Sequence, residues 1–317
     1  MTPLDWLEPE LATLTRYRFS DPAWMYERKF DGERCLTYGS GDRVALMTRN
    51  RLDVSATYPE LHDALLGQSS ADFVVDGEIV AFEGDATSFG KLQQRLGVRQ
   101  PDPGLLRRVP VIYYLFDVLV ADGRDVRALP LRERKQALRA LLAFEDPIRF
   151  AEHRDGNGEP FWDEACQRGW EGLIAKRASS RYLAGRTRDW LKFKCVNSQE
   201  FVIGGYTDPQ GSRAGFGALL VGFYDPAGRL VSAGKVGTGF NEKTLSSLSA
   251  ALTGIERDQP PFDAGELPRS RVHWVEPRLV AQIGFSEWTA AGQLRHPRFE
   301  GLRQDKDPAT VVREIPE

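Results

Sequence analysis

The sequence predicts an α+β fold in two domains, the first built of strands with flanking helices and the second a small β-barrel. Three observations lead there. The length, 317 residues, is that of two ordinary domains. Segments of strand character recur along the whole chain, with helical periodicity only here and there. The texture changes near Val196, beyond which the strands are short and separated by Gly, Pro and Asp turns. A boundary at Asn197 gives domains of 1–196 and 197–317.

In the first part, Trp24–Lys29, Arg34–Tyr38, Val44–Thr48, Phe73–Phe82 and Val111–Val120 read as strands. Leu131–Leu142 reads as a helix with Leu131, Ala137, Leu138, Leu141 and Leu142 on one side and its Arg and Lys residues on the other. Gly172–Lys176 and Trp190–Lys194 are two more strands; in the second, alternation puts Trp190, Lys192 and Lys194 on one face. The second part carries strands at Phe201–Tyr206, Ala218–Tyr224, Leu230–Lys235 and Leu279–Phe285, and one helix at Glu242–Leu252. Several short strands with a single helix suit an oligonucleotide-binding (OB) barrel.

Composition narrows the class. Apolar residues make up 41% and charged residues 27%, the balance of a soluble globular protein. A net charge of −3 counts against a simple nucleic-acid binder, which is expected to be basic. Distribution matters more than the sum: between Arg168 and Lys194 stand eight Lys/Arg against two acids, Glu171 and Asp189. Trp190, Leu191 and Phe193 are interleaved with these charges, unlike a plain solvated face. Cys35, Cys166 and Cys195 have no metal-ligand or redox spacing, and their odd number argues against a disulfide framework. That usage fits a reducing, cytoplasmic compartment. There is no signal-like N-terminus and no apolar run of membrane-spanning length, and the four histidines do not cluster.

The chemistry centres on Glu27-Arg28-Lys29-Phe30-Asp31-Gly32-Glu33-Arg34, where a strand ends in an Asp-Gly turn. Lysine is a nucleophile once deprotonated, and neighbouring cations favour the neutral amine. Alone, the pattern is a common surface hairpin. Six further stretches, in chain order, change its weight: Thr48-Arg49-Asn50, Asp76-Gly77-Glu78 inside an apolar strand, Tyr114-Leu115-Phe116-Asp117, Glu171-Gly172-Leu173-Ile174-Ala175-Lys176, Trp190-Leu191-Lys192-Phe193-Lys194 and Arg303-Gln304-Asp305-Lys306. The carboxylates at Asp76 and Glu78 need partners to sit in such a strand.

This ordered set resembles the covalent nucleotidyltransferase superfamily, specifically ATP-dependent DNA ligases, and most of all the ligase module of bacterial LigD-type end-joining ligases. The resemblance spans essentially the whole chain. It implies a nucleotidyltransferase domain with antiparallel sheets and flanking helices, followed by an OB-fold domain. Arg51 stands where the family usually has Gly.

The resemblance assigns roles residue by residue. Lys29 is the nucleophile that forms lysyl-AMP. Glu27 accepts from the adenine amino group and Phe116 stacks on the purine. Arg34 and Arg49 contact the ribose and phosphate side, and Glu78 and Glu171 are an acidic pair for ribose and metal. Asp31 has a structural and electrostatic part. Lys192 and Lys194 line the α-phosphate, and Arg303 and Lys306 orient pyrophosphate as the C-terminal domain closes. The cofactors are ATP, as AMP donor, and Mg²⁺ or Mn²⁺.

The implied activity is sealing of 5′-phosphate/3′-hydroxyl nicks through lysyl-AMP and adenylylated DNA, in repair or end joining. Nicked duplex DNA is the substrate, tracked by Arg177, Arg181, Arg186 and Arg188 through phosphates. Ku and a polymerase module are the implied partners of a monomer in the bacterial cytoplasm, at the nucleoid and with no membrane association. Two rival readings are an RNA ligase or GTP-using capping-type enzyme, and a non-catalytic DNA-binding protein.

Overall fold

The computed structural model describes residues 6–66, 68, 72–195, 197–209, 215–268 and 271–315. The chain divides into two compact units, the first running to Cys195 and the second ending at Glu314.

The first unit contains, in order, β1 (Glu10–Leu14), β2 (Trp24–Lys29), β3 (Glu33–Ser40), β4 (Arg43–Thr48), α1 (Pro59–Leu65), β5 (Phe73–Glu83) and β6 (Ala86–Thr87). Next come α2 (Phe89–Leu92), α3 (Pro103–Arg108), β7 (Val111–Ala121), β8 (Arg124–Asp125), α4 (Leu131–Leu141), β9 (Ile148–Phe150), β10 (His153–Asp155), α5 (Gly158–Gln167), β11 (Gly172–Arg177) and β12 (Gly185–Lys194). They form two sheets. One has the order β1-β12-β11-β2-β10; the other runs β4-β3-β5-β7-β8, with β6 on β5 and β9 on β7. Pairing is antiparallel except for β1 with β12 and β7 with β9. The segments expected as strands are strands; most bury side chains on both faces, and β4 buries one, through Leu46 and Thr48.

Three apolar clusters set the layers. Phe116, Leu119 and Val74 of one sheet pack with Trp190 of the other, so the two sheets face each other. Beyond the larger sheet, Phe73, Val75 and Ile79 meet Leu61 and Leu65 of α1 and Leu138 of α4. Beyond the smaller sheet, Tyr26, Leu173 and Phe193 meet Phe161 and Ala165 of α5. Burial of these side chains, at roughly 25 cal/mol per Å², is the main force holding the layers.

The structure corrects two expectations. The Arg/Lys side of α4 is only partly solvated: Arg132 and Arg139 are exposed, but Arg134 and Lys135 are buried, because buried carboxylates wait for them. Arg134 grips Asp117 of β7 at 2.8 and 2.9 Å. Cys166 and Cys195 are joined in a disulfide, leaving Cys35 free and buried. Their separation of 29 residues hides a pairing that the β11–β12 hairpin brings about. Arg51 adopts a φ of +64°, the left-handed conformation that glycine takes freely and that explains the family's usual residue there.

The second unit is a six-stranded antiparallel sheet, β13 (Asn197–Thr207), β14 (Leu219–Tyr224), β15 (Leu230–Val236), β16 (Glu256–Arg257), β17 (Val272–Phe285) and β20 (Arg298–Leu302), with the short pair β18 (Glu287–Trp288) and β19 (Leu294–Arg295). Its helix α6 (Glu242–Thr253) drives Leu248 and Leu252 into the core formed by Phe201, Val221 and Val275. This is the OB-type arrangement expected. Among the described residues no helix is long and apolar enough to cross a membrane.

Candidate active site

The smaller sheet aligns the site by register. Lys29 of β2, Gly172 of β11 and Lys194 of β12 lie directly across from one another; so do Glu27, Ile174 and Lys192, and Met25, Lys176 and Trp190. Residues opposite each other in antiparallel strands share a face, so Glu27, Lys29, Lys176, Lys192 and Lys194 project toward the larger sheet. Lys176 Nζ lies 4.2 Å from the Phe116 ring centroid of that sheet and 4.0 Å from that of Trp190.

Gly172 sits at the centre of the first row with a φ of +147°. A Cβ there would come within 1.9 Å of the Phe193 carbonyl oxygen. The strands carrying Lys29 and Lys194 can approach as they do only across a glycine. Gly32 is constrained in the same way: a Cβ would lie 2.2 Å from the Ile79 carbonyl oxygen. This presses the Asp-Gly turn onto β5. Asp31 ties the turn down further by accepting from Phe89 N at 3.2 Å.

Lys29 Nζ is ion-paired with Glu171 Oε2 at 2.5 Å. Burial, the largest single influence, pushes its pKa down, but Glu171, Asp31 and Glu78 together outweigh it, so the amine holds its proton more tightly than an ordinary lysine. This corrects the expectation that surrounding cations keep Lys29 neutral; carboxylates are its dominant neighbours.

Glu27, expected to meet adenine, is the hub of a buried triad. Lys135 Nζ reaches its Oε1 at 2.5 Å and Lys176 Nζ its Oε2 at 2.7 Å. Burial opposes the charged carboxylate, yet the two lysines hold its pKa below the usual value. Burial takes Lys176 the other way, below its ordinary pKa; Glu27 offsets this in part and Lys135 adds to it. Lys135 was not singled out from the sequence, and Lys176 entered only as the end of the Glu171–Lys176 stretch, without a role.

Arg34 and Phe116 come together, but not as open ligand contacts. Arg34 forms a two-pronged ion pair with Asp76 at 2.5 Å per prong and lies over the Phe116 ring at 4.5 Å. Asp76 also accepts from Tyr182 Oη at 2.6 Å, which gives this buried carboxylate its partners. Phe116 is only 6% exposed. Its ring is covered by the Arg34 guanidinium and the Lys176 amine. Glu78 lies opposite Arg34 across β3 and β5, and Arg49 comes just after the end of β4, half-buried.

Arg177, Arg181, Arg186 and Arg188 are all exposed, and they do not form one track. Arg177 pairs with Asp189 at 2.9 Å and lies over Trp24 at 4.8 Å. Its β11 neighbour Lys176 faces the site, so Arg177 is on the opposite face. Arg186 donates to the Ala12 carbonyl. In the second unit, Arg303 pairs with Asp305 at 2.7 Å and Lys306 with Glu200 at 2.9 Å. Burial opposes ionisation of Glu200, but Lys306 and Arg303 bring its pKa down to about 2.

A family model described as the ATP dependent DNA ligase domain matches residues 10–194. The chain belongs to the ATP-dependent DNA ligase family. A second model, the ATP dependent DNA ligase C terminal region, matches residues 212–306 of this ligase-family chain. The multifunctional non-homologous end joining protein LigD of Pseudomonas aeruginosa is 37% identical over 325 residues, covering 99% of this chain and 38% of its own length. The multifunctional non-homologous end joining DNA repair protein LigD of Mycobacterium tuberculosis is 37% identical over 316 residues, covering 98% of this chain and 40% of its own length. The chain therefore spans well under half of these relatives. A solved mycobacterial DNA ligase D complexed with ATP and MES is 35% identical, with a TM-score of 0.69, covering 97% of this chain and 98% of that one.

Proposed function

We propose that this chain is an ATP-dependent DNA ligase core of the LigD type, with a nucleotidyltransferase domain over 1–196 and an OB domain over 197–317. Lys29 Nζ attacks the α-phosphorus of ATP. The N–P bond forms, the bond to pyrophosphate breaks and the amine proton leaves. An oxygen of a nick 5′-phosphate then takes the AMP from Lys29, and the 3′-hydroxyl attacks that phosphate and expels AMP. The observation that carries this reading is the row Lys29–Gly172–Lys194 with Glu171 on the amine. It assembles a nucleophile, an acid beside it and cations for the phosphoryl oxygens on one rigid sheet face.

Lys192 and Lys194 supply charge for the α-phosphate. Glu27 and Phe116 form the pocket wall, Glu27 as counter-charge to Lys135 and Lys176. Arg34 and Arg49 serve the ribose and phosphate side. Glu171 and Glu78 suit a Mg²⁺ or Mn²⁺ ion, since such ions take one or two carboxylates along with triphosphate oxygens; both acids already bear on the Lys29 amine. Bound there, the ion neutralises charge on the triphosphate. Arg303 and Lys306 carry the cations for pyrophosphate, preset by Asp305 and Glu200. Arg181, Arg186 and Arg188 contact DNA phosphates.

An end-joining setting, with Ku and a polymerase module as partners, rests on the likeness to the named end-joining relatives. The reducing compartment loses its support from cysteine usage, because two of the three cysteines are paired; the proposed substrate is what points to the bacterial nucleoid.

The test is incubation with labelled ATP and Mg²⁺, then with nicked DNA. Label on the protein that passes to DNA and leaves as AMP on sealing supports the reading. Transfer only from GTP, or only to RNA, supports the rival enzymes. No label on the protein supports a non-catalytic binder.

A further inference from the structure

Beside the site, on the far side of Arg28, lies a cleft of about 640 Å³ that none of the proposed roles uses. It is lined by three arginines, Arg28, Arg149 and Arg168, and three rings, Phe82, Tyr114 and Trp170. Arg28 precedes Lys29 on β2 and Trp170 precedes Glu171, so the cleft and the Lys29–Glu171 pair share the same two backbone segments. Arg149 and Arg168 are braced from outside, by Asp146 at 2.5 Å and Glu164 at 2.8 Å. Arg149 also donates to Tyr114 Oη at 3.1 Å.

Arg28 is different. Among the described residues it forms no ion pair, although Asp85 also lines the cleft and its charge bears on the guanidinium. Its Nη2 reaches only the Asp85 carbonyl oxygen, at 3.3 Å, and its Nε is buried without a hydrogen bond. Its guanidinium lies 4.4 Å from the Trp170 ring centroid and 5.4 Å from that of Phe30. Burial holds its pKa below the usual value; Tyr114 and Asp85 offset this in part, and the like charge of Arg168 adds to it. Ring stacking compensates part of that desolvation. The remainder, with two more guanidinium groups at the same cleft, calls for an anion.

We propose that this cleft binds a phosphate group through Arg28, Arg149 and Arg168. Guanidinium forks match phosphate oxygens in shape and charge, and the Trp170 ring stacks on Arg28 and helps hold it in place. The phosphate has two sources with the same chemistry, a phosphodiester of bound DNA or free pyrophosphate. The DNA source rests on the proposed ligase function; the pyrophosphate source does not.

The experiment compares wild type, Arg28→Gln, Arg149→Gln and, as control, Arg124→Gln, an exposed arginine outside the cleft. Thermal unfolding first confirms that each folds; Arg149, 43% exposed at the cleft rim, is the variant least able to disturb packing. Binding of a nicked duplex is followed by anisotropy across a salt series, and binding of inorganic pyrophosphate by calorimetry. For a DNA source, both cleft variants bind the duplex about five- to tenfold more weakly and the slope of log affinity on log salt drops by about one, with the control unchanged. For a free source, the variants lose pyrophosphate binding and keep the duplex. The proposal is overturned if both folded variants bind both probes as the wild type does, or if the wild type binds neither. A wild type that never takes up AMP sinks the ligase reading instead, and the pyrophosphate arm still decides the cleft.

Discussion

Lys29 Nζ and Glu171 Oε2 stand 2.5 Å apart, an ion pair between the residue proposed to attack ATP and an acid proposed to hold metal. The resting enzyme therefore keeps Lys29 protonated, with Glu171, Asp31 and Glu78 all raising the pKa of the amine against the pull of burial. Attack requires the neutral form. Below a raised pKa, the neutral fraction grows steadily with pH, so the initial rate of lysyl-AMP formation should climb from about pH 6.5 to about pH 9 without levelling off. A rapid-quench pH series that plateaus near neutrality would show that the amine is set lower than this pair implies.

Glu27 and its two lysines form the most buried charge cluster of the site. Replacing Glu27 with Gln leaves Lys135 and Lys176 facing each other without a counter-charge. Denaturant titration should show a loss of about 3–5 kcal/mol. Because the folded pKa of Glu27 lies below the ordinary 4.5, its contribution is present above that pH and is lost as pH falls through the folded value. The wild-type advantage over Glu27→Gln should accordingly shrink in acid. A substitution costing under about 1 kcal/mol would mean the triad is dispensable.

Gly172→Ala should be severe. The new Cβ meets the Phe193 carbonyl oxygen at 1.9 Å and the backbone is in a region glycine favours. Relief requires β11 and β12 to move apart, at a cost of about 3 kcal/mol or more, and it shifts Lys194 relative to Lys29. The expected outcome is a lower melting temperature together with loss of self-adenylylation. Near-normal values of both would contradict the row geometry.

The disulfide closes a loop of 29 residues' separation that carries Glu171, Lys192 and Lys194. Loop-closure entropy for that length is worth about 3–4 kcal/mol. Reduction with dithiothreitol, or the double change Cys166→Ser with Cys195→Ser, should lower the unfolding midpoint by a corresponding amount. Equal midpoints in oxidised and reduced protein would argue against a bond between these two residues.

Much of the fold and the site was legible in the sequence. Alternation put Lys192 and Lys194 on one face, and the resemblance to ATP-dependent DNA ligases joined Lys29 and Glu171 to them. The residues that were missed share one property: their partners lie far away in the chain. Lys135 and Arg134 look like a solvated helix face until β2 and β7 supply Glu27 and Asp117. Asp76 is a misplaced carboxylate until Arg34 and Tyr182 arrive. Cys166 and Cys195 are two unrelated thiols until the β11–β12 hairpin folds back. Periodicity reports which face a residue takes, not whether a countercharge waits there. The same limit explains why Arg177 was expected in a track with residues that the pleat sends to the other side.

The central claim is that Lys29 carries the AMP. Peptide mapping by tandem mass spectrometry after incubation with ATP and Mg²⁺ tests it most directly, with Lys29→Arg alongside, since a guanidinium stays protonated and is no useful nucleophile. The expected result is a single AMP adduct on the peptide containing Lys29 and none on the folded Lys29→Arg protein. An adduct on Lys176, the site lysine whose pKa is depressed, or an adduct that persists in Lys29→Arg, would contradict the account.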